Sequence, residues 1–411
     1  MMQNNSDITV AVTGQSLIKR DIRKPYNPQF EKLCRILQQA DISFTNYEGT
    51  IQGKHGGWPM KNTFVHASEP KVFEVLKAIG LNTLSLANNH AFDLGPGGIL
   101  STLELTAKLD FLSAGIGRDR TLAAQPGQMT KAGQLVSLIA IDCSPVPDCF
   151  TALDKGHYNE SRPGINHIRM RETLMMPQAL KNELLEYSRL IGETRRNKAY
   201  QQVGFRSGQT GANCFFGLNL KAGETSSEFR ELIPEDVAFQ LQIIQNAAKD
   251  GNFVIVSFHH HYWEPEWDQP PVWVQNFFRT CIDHGARLVI GHGVPLLQGI
   301  EIYKNQPIFY STGNFIFHTF RQTTYQNDAL WKSVVASCHF NAKQEIQTIQ
   351  LFPVIIGGET ALKNHHLTRD VPLSVQGNAA TEIISKLSEL SAPYGTTISS
   401  IGDSVVIHGI E

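Results

Sequence analysis

At 411 residues the chain exceeds one typical domain of roughly 100–200 residues and is long enough to bury a large core. Lys and Arg number 36 against 38 Asp and Glu, a formal net charge of -2, so no global basic field draws it to nucleic acid or an anionic membrane. Hydrophobic residues at 41%, with 33 Gly and 19 Pro, fit a loop-rich mixed α/β chain rather than a fibrous or disordered one, and the 15 His are the first place to look for chemistry.

Met1–Asp7 is polar and lacks the basic n-region, apolar h-region and cleavage site of a secretory signal, which makes the cytoplasm the expected compartment. Ile8–Val12 reads as a first strand. Phe30–Gln39 carries Phe30, Leu33, Cys34 and Leu37 at helical spacing, and Ile42–Phe44 follows as a strand running into Asn46-Tyr47-Glu48. Lys71–Ile79 predicts a helix, Thr83–Leu86 a strand, and Ala87-Asn88-Asn89-His90 the loop beyond it. Gly95–Gly98 then precedes a helix over about Leu100–Lys108. This alternation belongs to layered α/β folds, in which functional groups gather in loops at the carboxyl ends of strands.

From about Ser144 to Pro234 the chain becomes polar and rich in Arg, Asn, Gln and Gly, without strong strand runs. It reads as an insertion, 144–234, holding one helix over Met176–Ile191 with an apolar stripe. Its run Arg195-Arg196-Asn197-Lys198 reads as a solvated face. Strand and helix patterns then return with the helix Glu235–Asp250, the strand Phe253–Phe258, the helix Val272–His284, the strand Arg287–Ile290 and the run Pro307–Tyr310. Strand-like sequence after Val334 and through Ile346–Ile356 leads to a helix Ala379–Leu390 and a strand Ser404–His408. The organisation expected is a single domain over 1–411 with the insertion inside it and a C-terminal extension, 357–411, packed on it. The best apolar runs, Leu135–Ile141 and Phe253–Phe258, fall far short of the roughly 18 residues of a spanning helix. Six cysteines form no C-x-x-C pair, so a metal would have to be held by His, Asn and carboxylates.

Four polar motifs stand just past apolar runs: Asn46-Tyr47-Glu48, Asn88-Asn89-His90, His259-His260-His261 and Gly291-His292-Gly293. Each alone is as well explained by a turn, a helix cap or a satisfied histidine. Together they would converge on one edge of a layered sheet, with the mixed nitrogen and oxygen donors that a divalent cation takes.

The stretches Asp41–Glu48, Leu84–Gly95, Ala286–Glu301 and Pro307–Phe317 resemble the signature blocks of the CapA family, named for poly-γ-glutamate capsule synthesis. Arg162-Pro163-Gly164 and Leu390–Thr396 are similar to it too, so the resemblance runs from Ile8 to about Ile407. It implies an α/β fold of the calcineurin-like metallophosphoesterase type, a sandwich of two central mixed β-sheets flanked by helices, with a metal site at the sheet edges. Carried over motif by motif, Glu48, Asn89, His259 and His292 would be metal ligands and His90 a catalytic acid, with Asp93 placed to orient its ring. Within the triple histidine the ligand is open by a residue or two, so His261 stands in reserve, and Glu264 aligns only with a small insertion.

Two departures from the family pattern concern the second metal. Gln15 stands where an acidic residue is expected after the first strand, and Pro295 where a further His is expected beyond Gly291-His292. The expectation is therefore one divalent ion, Mn, Fe or Zn, with the second weak or absent. The chemistry implied is a metal-activated water attacking an amide, γ-glutamyl or similarly peptidic, of a small-molecule or peptidic anionic substrate. Imidazoles titrate near neutrality, so His90 would protonate the leaving group. Arg162, with Arg169, Arg171, Arg195 and Arg196, either clamps substrate carboxylates or solvates a long loop, and Asn314 either reaches the site or shapes a turn. A phosphoesterase, and a binding protein with a degenerate metal site, are the alternatives.

Overall fold

Long apolar runs form strands buried on both faces, the environment that mostly parallel sheets provide. In the computed structural model, which describes residues 6–204, 213–319, 325, 327–364, 367–401 and 404–408, every residue of Phe253–His259 and of Leu288–His292 is buried. The chain is a mixed α/β protein that divides into two compact units: Met1–Ile168 with Ala238–Glu411, and Arg169–Val237.

Among the described residues the first unit holds a ten-stranded and a six-stranded mixed sheet. In the larger sheet Ile8–Leu17 lies between the antiparallel Lys332–Phe340 and the parallel Ile42–Tyr47, and Thr83–Ser85 and Leu112–Ala114 continue in parallel beyond. In the smaller sheet Gln134–Asp142, Phe253–His259, Leu288–His292 and Gln306–Phe309 run parallel, with Gly127–Lys131 and Ile300–Tyr303 antiparallel at its edges. One apolar core contains side chains of both sheets, among them Val10, Val12 and Phe44 with Leu138, Ile255 and Ile290. Helices cover this body for readable reasons. Pro28–Gln39 is capped by Asn27, whose side chain accepts from the Gln29 amide at 2.8 Å, and it buries Phe30, Leu33, Cys34 and Leu37. The helix expected from about Leu100 begins earlier, at Gly95, because Pro96 in the first turn needs no amide hydrogen there.

The second unit carries a four-stranded sheet that the sequence pattern does not announce. Its strands Met170–Met176 and Ser227–Leu232 are largely half-buried or exposed, and charged cross-strand partners replace apolar alternation. Arg171 faces Glu231 and bonds it at 2.8 Å, and Glu172 faces Arg230. Beside the expected helix, observed as Gln178–Leu190, a second runs over Glu193–Gln202 and exposes Arg195 and Arg196. Among the described residues no helix is long and apolar enough to cross a membrane.

The first strand is crossed closely at Gly14, where an added Cβ would lie 2.0 Å from the Gly313 carbonyl oxygen, a backbone atom with no room to yield. Gly14→Ala should therefore cost about 3 kcal/mol or more of stability, measured from denaturant midpoints. An unchanged midpoint would contradict the close approach.

Candidate metal centre

Parallel strands end on the same side, so residues far apart in sequence are delivered to one edge. Glu48 follows Ile42–Tyr47, Asn88-Asn89-His90 follows Thr83–Ser85, and His259 and His292 close adjacent strands at matching register. Asp142 closes the next strand, also level with His259. Hydrogen bonds join the edges of the two sheets: Asn46 Nδ2 lies 3.2 Å from His259 Nδ1, and the Gly293 amide donates to Gln15 Oε1 at 3.0 Å.

Glu48, His259 and His261 each bring a donor atom to within 4.8 Å of the others. Glu48 Oε1 is 4.0 Å from Nε2 of both imidazoles, and those two nitrogens are 3.1 Å apart. Asn89 Oδ1 adds an oxygen 3.1 Å from His259 Nε2. These four atoms could act as donors to one cation, and the two 3.1 Å contacts are hydrogen bonds when an imidazole nitrogen carries its proton. Among the described residues, Glu48 Oε2 and both ring nitrogens of His292 are buried without a hydrogen-bond partner, and the His292 ring stacks on Phe44 at 5.6 Å.

Burial sets the charge states. It pushes the Glu48 carboxyl up to about 7, with His90 and Lys61 opposing the rise. It lowers His261 to about 4 and His292 to about 3, and holds His259 well below the ordinary histidine range, with the neighbouring imidazoles adding to the effect. These rings are neutral near pH 7, the form that binds metal.

His90 stands beside this cluster, Nε2 3.9 Å from Glu48 Oε1. Its Nδ1 is 2.7 Å from Asp93 Oδ2, which also accepts from the His66 amide at 2.6 Å. Lys61 pairs with Asp93 Oδ1 at 2.9 Å and donates to the Asn89 carbonyl at 2.7 Å. Burial works against ionising Asp93, but the bond to His90, the His90 and Lys61 charges and the His66 amide outweigh it and keep the carboxyl below its usual range. A cavity of about 510 Å³ opens over Glu48, His90 and His261.

The remaining residues singled out from sequence fall as follows. His260 turns the other way and meets the Trp273 ring edge-on at 5.3 Å. Gln15 lines the cavity, with its amide oxygen engaged by Gly293. Glu264 is half-buried beyond His261 and contributes no atom to the donor cluster. Arg162 donates to the carbonyls of Thr151 and Asp148. Asn314 is fully buried, pairs with Gln15 in register and donates to the Leu330 carbonyl at 3.0 Å. In the second unit Arg169 pairs with Asp236 and Arg171 with Glu231.

Sequence reasoning named Asn46 only as part of the Asn46-Tyr47-Glu48 motif and gave it no role. It missed Lys61 and His66 in a loop without pattern, and the Asp142–His167 pair at 2.9 Å, where a strand-end Asp was the available clue.

The model of the family described as bacterial capsule synthesis protein PGA_cap matches residues 9–319. The uncharacterized protein y4sH of Sinorhizobium fredii is 27% identical over 95% of this chain and 90% of its own length. The PGA biosynthesis protein CapA of Bacillus subtilis is 27% identical over 41% of this chain and 43% of its own. The capsule biosynthesis protein CapA of Bacillus anthracis is 22% identical over 77% of this chain and 61% of its own.

A carboxyl raised from 4.5 to about 7 binds its proton more tightly in the folded chain, so metal-free stability falls as pH rises through that interval. Glu48→Gln should raise metal-free stability at pH 8, by on the order of 3 kcal/mol at most, and change it little at pH 4. Equal effects at both pH values, read from denaturant titrations, would contradict the burial of this carboxylate.

Proposed function

The chain belongs to the bacterial capsule synthesis protein family PGA_cap, and from that membership we propose that it is a metal-dependent hydrolase whose substrate is an amide of a small, anionic, peptidic molecule. The observation that carries this reading is the convergence of Glu48, Asn89, His259 and His261 beside a His90–Asp93 pair at the floor of a cavity. Two mixed sheets with a common core and polar residues at their parallel strand ends favour assignment to the calcineurin-like metallophosphoesterase sandwich.

The unpartnered Glu48 Oε2 and His292 nitrogens fit a cation, and the donor set suits Mn, Fe or Zn. Glu48, Asn89, His259 and His261 would hold it, with His292 supplying a further imidazole from the adjacent strand. Asn46 supports the ligand form of His259: its Oδ1 is buried without a partner, and turning the amide over places that oxygen on Nδ1–H and frees Nε2. A divalent ion bound there would supply an acidified water and a Lewis acid for the amide carbonyl.

The protein's own groups do the rest. Asp93 accepts from His90 Nδ1–H and fixes the ring, so that Nε2 can carry a proton toward the leaving amine. Lys61 holds Asp93 ionised in turn. The Gln15 oxygen is taken by the Gly293 amide and Pro295 has no donor group, which supports one ion rather than two.

Elemental analysis should find a single equivalent of divalent metal per chain. His90→Ala should retain it while turnover falls about 10²–10⁴-fold, and His259→Ala should lose it. Amides should release amine in a chelator-sensitive reaction. Release of phosphate from phosphoesters instead, or two tight equivalents of metal, would overturn the proposal.

A further inference from the structure

Among the described residues, the walls of the 510 Å³ cavity are more aromatic than basic. Among the described lining residues Lys19 is the one Lys or Arg, whereas Phe64, Trp263, Trp267, Phe317 and Tyr325 supply aromatic surface. The aromatic surface begins at the donor cluster itself: the His261 ring lies against Trp263 at 5.1 Å, and Trp263 against Trp267 at 4.4 Å. Phe317 and Tyr325 form a second pair at 5.6 Å. Phe64 and Trp267 are each 42% exposed, although both line this concave site, so unfilled apolar surface faces the cavity. The volume is that of a site for a small molecule rather than a groove for a polymer.

Lys19 is fixed at the rim of this surface. Its backbone amide donates to His318 Nδ1 at 3.0 Å and its ammonium to the Val65 carbonyl at 3.1 Å, and both partners line the cavity. An ammonium donating to a carbonyl has further hydrogens to offer. Arg162, the arginine of this unit that sequence suggested for carboxylates, is engaged by backbone carbonyls and is not among the lining residues.

We infer that the cavity selects a compact amphipathic amide, with an aromatic or bulky apolar group lying along Trp263 and Trp267 and one carboxylate at Lys19, in preference to an oligoglutamate. The cleaved bond is placed by the hydrolase reading above; the binding preference stands on the cavity alone.

Calorimetric titration of the purified chain, metal-loaded and metal-free, with N-phenylacetylglycine, its neutral glycinamide counterpart and tri-γ-glutamate tests this. N-phenylacetylglycine should bind at least about tenfold more tightly than tri-γ-glutamate, and Trp267→Ala, at a partly exposed position, should weaken it about tenfold. Lys19→Met should abolish the preference for the acid over the neutral amide while leaving binding of the neutral amide unchanged. Tighter binding of tri-γ-glutamate, or an acid preference that survives Lys19→Met, would overturn the inference. Binding in the expected order without hydrolysis by the metal-loaded protein would uphold the cavity preference and overturn the hydrolase reading, so the two fail separately.

Discussion

The site turns on one buried imidazole. His259 ends a strand of the smaller sheet, yet its two ring nitrogens meet side chains from strand ends of the larger one: Asn46, near the end of Ile42–Tyr47, on Nδ1 and Asn89, beyond Thr83–Ser85, on Nε2. With no exposure to water, this ring must find all its hydrogen bonds inside the protein. Those bonds position both sheet edges at once, and Glu48, His90 and His261 fall into place around it. The Gln15–Gly293 bond is a further tie between the same edges, and it occupies the side-chain oxygen of Gln15.

This arrangement sets stability against function. A carboxyl pushed to about 7 is a state that water would not favour, and among the described residues the cluster around Glu48 leaves several polar atoms without partners. Apolar side chains of similar shape would pack there at lower cost. The core beneath, continuous across both sheets, tolerates the expense because its parallel strands are buried on both faces. The His90–Asp93–Lys61 chain differs, since its charges are matched at close range and Asp93 stays ionised despite burial.

Much of this body was legible in the sequence because its central strands are fully buried and so appear as unbroken apolar runs ending in polar residues. Glu48, Asn89, His90, His259 and His292 were singled out in that way, together with the family resemblance. His261 was harder. Alternation along an extended segment returns residues 259 and 261 to one side, but only the geometry puts both ring nitrogens on Glu48 while His260 turns into aromatic packing. The sheet of the second unit was not legible, since Arg171–Glu231 and Glu172–Arg230 pairs occupy positions where periodic apolar residues would have signalled strands. Nor were Lys19, His66 and Trp267, whose proximity to the donor cluster comes from long-range packing with no local pattern.

The donors span positions 48 to 261, and the contacts of His259 with Asn89 and Asn46 close loops of 170 and 213 residues. Such separations make the centre a late event during synthesis, because roughly two thirds of the chain must leave the ribosome before its last donors emerge. A cation held at this centre would therefore have no complete site to seize on the nascent chain. It would act only as a latch on a body whose two sheets have already met, an arrangement the chain alone reaches through its apolar core.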